Sequence, residues 1–93
     1  MTYNNTPEET NFSQFGDVYR VVREKEGTIT VEQWPHLSNV VRRATIQDGV
    51  AQGDLDVLQN VRPLAKQHEE DLPLGALDQI LIAYDKLPHN TQH

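Results

Sequence analysis

Ninety-three residues with 14 acids against 8 bases, a net charge of −6 and no cysteine leave room for one modest core and exclude disulfide and zinc-thiolate chemistry. The opening MTYNNTPEET has neither a basic region nor an apolar run, so it does not read as a secretory leader, and the longest apolar stretch, ILIAY at 80–84, is too short to span a bilayer. Lack of thiols agrees with a reducing, cytoplasmic setting.

Taken in chain order, residues 1–11 are polar and are expected to form a mobile tail, as are residues 88–93; residues 12–87 are expected to fold as a single domain. Phe12, Phe15, Tyr19 and Val22 recur at steps of three and four, which predicts a helix near 12–25. The valines of VYRVVRE equally allow an N-terminal β-hairpin over 17–33, turning at Glu26–Gly27 and followed by three helices. Thr30 with Gln33 three residues on reads as a capping box opening a helix near 31–46, with Trp34, Leu37 and Val41 on one stripe, Pro35 in the first turn and Gly49 as the stop. Asp54 reads as the cap of a third helix near 54–68, with Leu55, Leu58, Val61 and Ala65 on its apolar face and a kink expected at Pro63. A fourth helix is predicted over 73–87, with Leu74, Leu77, Leu81 and Tyr84 down one side. Together these elements predict an all-α fold, a compact four-helix bundle-like domain.

REKEGTITVEQW, residues 23–34, resembles the second half of an EF-hand calcium loop. With Gly27 at the sixth loop position, Ile29 takes the eighth, Val18 and Val21 fall before the loop, and Trp34, Leu37 and Val41 fall after it. The resemblance implies a helix–loop–helix and a divalent-ion sensor. Its ligand positions depart from the family: Val22 stands first, Glu24 and Glu26 third and fifth, and Gln33 twelfth, so two of the strongest oxygen ligands are missing. A second near-match, with Asp48 first, Gly53 sixth and Gln59 twelfth, lacks acids at the third and fifth positions. A turn followed by a helix cap is the simpler reading, and no metal or cofactor is expected.

The remaining reactive side chains suggest no catalysis. His89 and His93 are four apart but lie in the terminal tail, and His68 beside Glu69, Glu70 and Asp71 reads as a solvated helix end. Ser13 and Ser38 lack a nucleophile-elbow context, and no phosphate-cradling glycine loop occurs. An enzyme is not expected. Asn39, Arg42 and Arg43 could line a DNA-reading helix, although two adjacent arginines on an acidic chain make a thin electrostatic footprint and disfavour nucleic acid.

Residues 46–93 carry eight acids against three bases. That imbalance repels phosphate backbones and anionic lipid and attracts basic protein surfaces. The expectation is therefore a non-enzymatic protein-interaction module, a small adaptor, regulator or inhibitor, that meets a basic partner through Asp54, Asp56, Glu69, Glu70, Asp71, Asp78 and Asp85. Homodimerisation through exposed apolar positions is a further option.

Overall fold

The computed structural model describes residues 8–87. It is an α+β fold. Five strands, β1 (Glu9–Gln14), β2 (Asp17–Arg23), β3 (Ile29–Trp34), β4 (Arg42–Gln47) and β5 (Val50–Gly53), precede two helices, α1 (Asp56–Gln67) and α2 (Ala76–Asp85). The strands form one antiparallel sheet in the order β1-β2-β3-β4-β5, each paired with its neighbour in sequence. This overturns the all-α bundle. The helices expected over 12–25 and 31–46 are strands, and residues 17–33 form a hairpin. The three helices attached to that alternative reduce to two, because β4 and β5 come first.

Alternation explains the difference. Tyr19 and Val21 on β2, Ile29 and Val31 on β3, and Ala44 and Ile46 on β4 recur every second residue, and all are buried. The three-and-four spacing of Phe12, Phe15, Tyr19 and Val22 is a coincidence of the hairpin. Phe12 and Tyr19 are register partners on one face, Phe15 occupies the turn, and Val22 faces the other way. Two connections are only two residues long, Phe15–Gly16 with φ of 54° and 87° and Asp48–Gly49 with φ of 53° and 78°. Such two-residue turns match the twist of the flanking strands, so Gly49 turns a hairpin rather than stopping a helix. β1 begins inside the segment expected to be a mobile tail; the rest of that segment, residues 1–7, and the expected C-terminal tail, 88–93, lie outside the described residues.

Both helices pack on the same side of the sheet. Asp54 donates its N–H to the Arg43 carbonyl at 2.8 Å, so α1 leaves from β4, and its far end reaches β1, where His68 stacks on Phe12 with ring centroids 4.8 Å apart. α2 returns to the β4–β5 turn, where Gln79 Oε1 accepts the Gly49 N–H at 2.7 Å. Val57, Leu58, Val61, Leu64 and Ala65 form the buried stripe of α1, which runs through Pro63 as a single element. On α2 the buried stripe is Ala76, Ile80 and Ala83; the expected stripe is displaced, and Leu74 lies exposed before the helix. Burying a side chain such as Leu58 or Ile80 contributes about 2 kcal/mol. No helix among the described residues is long and apolar enough to cross a membrane.

Close approach of two strands makes one glycine indispensable. Gly53 has φ of 103°, and a Cβ there would lie 2.6 Å from the Arg43 carbonyl oxygen. Gly53→Ala is expected to lower the unfolding free energy by about 3 kcal/mol, since backbone must shift as well as accept strain. Gly27→Ala, at φ of 83° with nothing within 4 Å, is expected to cost only about 1 kcal/mol. Urea denaturation of the two variants checks this ordering, and equal losses would contradict it.

Candidate functional site

With both helices on one side, nothing among the described residues covers the other face of the sheet. Strand alternation and register place Asn11, Arg20, Glu32 and Arg43 in one row across β1 to β4 on that face. Glu32 is the centre of the row and is only 3% exposed. Its Oε1 accepts from Arg20 at 3.2 Å and from the Trp34 indole N–H at 3.0 Å, and its Oε2 accepts from Arg43 at 2.8 Å. Arg20 is also held by Glu9, through Nε at 2.7 Å and Nη2 at 3.2 Å. Burial alone would raise the Glu32 pKa; the indole and the two guanidiniums outweigh it and hold the carboxyl below its ordinary value. Glu9 is lowered as well, chiefly by its hydrogen bonds from Arg20. The result is a charge-balanced clamp that fixes the edge of Trp34 and leaves part of its ring in solvent.

Trp34 marks one end of the sheet, where the β1–β2 turn meets the β3–β4 loop. Val18 is its register partner on β2. Phe15 in the turn is 92% exposed, Leu37 in the loop is 91% exposed, and Val40 is also exposed. A Cβ on Gly16 would lie 3.0 Å from the His36 ring, which places the two connections against each other. A chain of polar contacts anchors the loop: Asn60 on α1 donates to Gln33 at 2.9 Å, Gln33 donates to Asp17 at 2.9 Å, and the His36 N–H donates to Asp17 at 2.8 Å. The His36 N–H, then the Gln33 side chain, lower the Asp17 pKa. Asp54 and Asp56 stand beside this end, 3.6 and 3.4 Å from Arg42. An apolar tip is therefore rimmed by three carboxylates and one arginine.

The structure does not gather the seven acids expected to form one patch. Asp54 and Asp56 lie near β4, whereas Glu69, Glu70 and Asp71 form a 3-10 turn beside β1, with the Asp71 carbonyl accepting from the Thr10 hydroxyl. Three strand spacings separate those positions, roughly 14 Å. Asp78 and Asp85 lie exposed in the first and last turns of α2. The DNA-reading helix does not form. Asn39 is in the β3–β4 loop, and Arg42 and Arg43 are neighbours on a strand, so they face opposite sides of the sheet. The Gly27 turn joins β2 to β3 through the 3-10 segment Lys25–Gly27, so the helix–loop–helix implied by the EF-hand resemblance is absent there. Among the described residues, no group of three or more histidines and carboxylates could hold a metal ion.

The Glu32 clamp missed by periodicity has a faint sequence signal: an acid in a β-branched strand, flanked by strands each carrying an arginine. Glu32→Gln keeps the shape but puts an amide N–H2 against a guanidinium, and is expected to lower stability at pH 7 by about 2 kcal/mol. Because the folded pKa of Glu32 is depressed, its contribution is complete above the unfolded carboxylate value, about 4.3, and is lost as pH falls through the lower folded value. The gap between the wild-type protein and E32Q in urea midpoints should therefore narrow between neutral and acid pH; a constant gap would contradict the clamp. The emission of Trp34, the single tryptophan, reports on the same face. Comparison with protein-family models, with curated proteins and with solved structures finds no match to this chain.

Proposed function

We propose that this chain is a non-enzymatic protein-binding module, an adaptor, regulator or inhibitor, that docks through the Phe15–Trp34–Leu37–Val40 end of its sheet onto a basic protein surface. The observation that carries the reading is the pair of almost fully exposed side chains, Phe15 and Leu37, on two connections packed against each other beside a clamped tryptophan. Large apolar groups on rigid supports cost little ordering on binding, and tryptophan and arginine are enriched among the residues that dominate interface energy. Asp17, Asp54 and Asp56 outnumber Arg42 at the rim, and the whole molecule carries −6. That field speeds encounter with a positive surface. A cytoplasmic setting belongs to the same reading.

The test compares three baits in affinity capture from the source cell: the wild-type chain, Phe15→Ser with Leu37→Ser, and Glu69→Gln with Glu70→Gln and Asp71→Asn. A partner of high isoelectric point is expected on the wild-type bait. Affinity measured with the purified partner should fall at least about tenfold in the Phe15/Leu37 variant, since each buried apolar side chain contributes about 1.5–3 kcal/mol. Both side chains are solvent-exposed, so the variant's thermal midpoint should stay unchanged. Full binding by that variant would overturn the docking surface.

A further inference from the structure

The β1 edge of the sheet offers a second, separate surface. Arg23 donates its N–H to the Glu8 carbonyl at 2.8 Å, which fixes the phase of the β1–β2 ladder. Antiparallel pairs alternate between those that exchange hydrogen bonds and those that do not. Thr10, Phe12 and Gln14 therefore spend their backbone groups on β2, while Glu9, Asn11 and Ser13 turn theirs to the outer side. β1 is the terminal strand, and among the described residues nothing pairs with that outer side. Its six residues contain no proline, and their ladder to β2 runs pair by pair without a bulge. Edges that avoid pairing usually carry such devices.

Beside this edge, the 3-10 turn after α1 forms one wall of a shallow cleft whose lining includes Thr10, Phe12, His68, Glu70 and Asp71. Among the described residues Glu70 makes no ion pair, and the Asp71 carboxylate lies 3.9 Å from His68 Nδ1. We infer that the β1 edge accepts an extended, basic peptide segment as a sixth strand, its backbone bonding Glu9, Asn11 and Ser13 and its alternate Lys or Arg side chains reaching Glu70 and Asp71. Strand addition draws affinity from backbone hydrogen bonds and selectivity from alternate side chains. A second copy of this chain is the less suitable occupant. Two-fold pairing of β1 with itself would bring Glu70 and Asp71 of both copies to one junction, where like charges repel.

The test uses the full chain and two synthetic nine-residue peptides of alternating lysine and threonine with blocked ends. One is unmodified; the other is N-methylated at every threonine, which keeps the charge but removes the donors of the edge that faces β1 when the lysines turn towards Glu70 and Asp71. In an NMR titration, the unmodified peptide should shift the amides of Glu9, Asn11 and Ser13 and slow their exchange. The methylated peptide should bind at least about tenfold more weakly, the loss expected when several backbone hydrogen bonds are blocked. E70Q/D71N should weaken binding of the unmodified peptide several-fold while retaining the wild-type spectrum elsewhere. Equal binding of the two peptides, or no shift at the β1 amides, would overturn the inference. So would protection of those amides by self-association without peptide. Peptide binding should persist in the Phe15/Leu37 variant, so the fate of the apolar tip and the fate of this edge are read separately.

Discussion

Residues Ile29 to Gln33 of β3 are all buried, although helices cover only one face of the sheet. This central strand constrains everything around it. Ile29 and Val31 face the helices and need no polar partner. Thr30 and Glu32 face the other way, where no helix among the described residues offers contact, and a buried carboxylate is tolerated only when its oxygens are bonded. Thr30 donates to Glu24 at 2.7 Å, and Glu32 takes its bonds from Arg20, Arg43 and Trp34. Long arginine side chains from the flanking strands thus replace a missing layer of structure, covering β3 with their own stems.

The same arrangement fixes the apolar end of the sheet. Here the indole is oriented by a carboxylate that also accepts from two arginines, and the loop beside it is tied through Asp17, Gln33 and Asn60. Charge is segregated along the chain: residues 54–87 hold seven acids and three bases, a net of −4, and residues 8–53 hold seven acids and five bases, a net of −2. Most of the negative field therefore comes from the helical layer and its connections, and four of the eight cationic side chains, Arg20, Arg23, Arg42 and Arg43, lie on strands.

How much of this could be read beforehand depends on which side chains carried the signal. α1 and α2 were legible because leucine- and alanine-rich stretches repeat apolar residues over several turns, and Asp54 stands where a helix begins. Even there, alanine misled: Ala76 and Ala83 are buried, while the larger Leu74 is not. The sheet was obscured by short strands of four to seven residues, too brief for a two-residue period to stand out beside chance spacings of three and four. Asp48–Gly49 between TIQ and VAQ was the clearest missed clue, since that dipeptide favours a two-residue hairpin turn. Acids outnumber bases in the chain, but sequence distance cannot tell that the length of α1 separates Asp56, near β4, from Asp71, beside β1. Nor could spacing show that Arg20 and Arg43, 23 positions apart, converge on one carboxylate.

Native-state hydrogen exchange tests the central role of β3 most directly. The amides of Val31 and Glu32, with the Trp34 indole N–H, should exchange only through global unfolding, while the outward amides of β1 and β5 exchange far faster. Exchange of the β3 amides and the indole at the rate of the edge strands would show that the uncovered face is open to water, and that the Glu32 clamp does not shield the strand on which the fold is built.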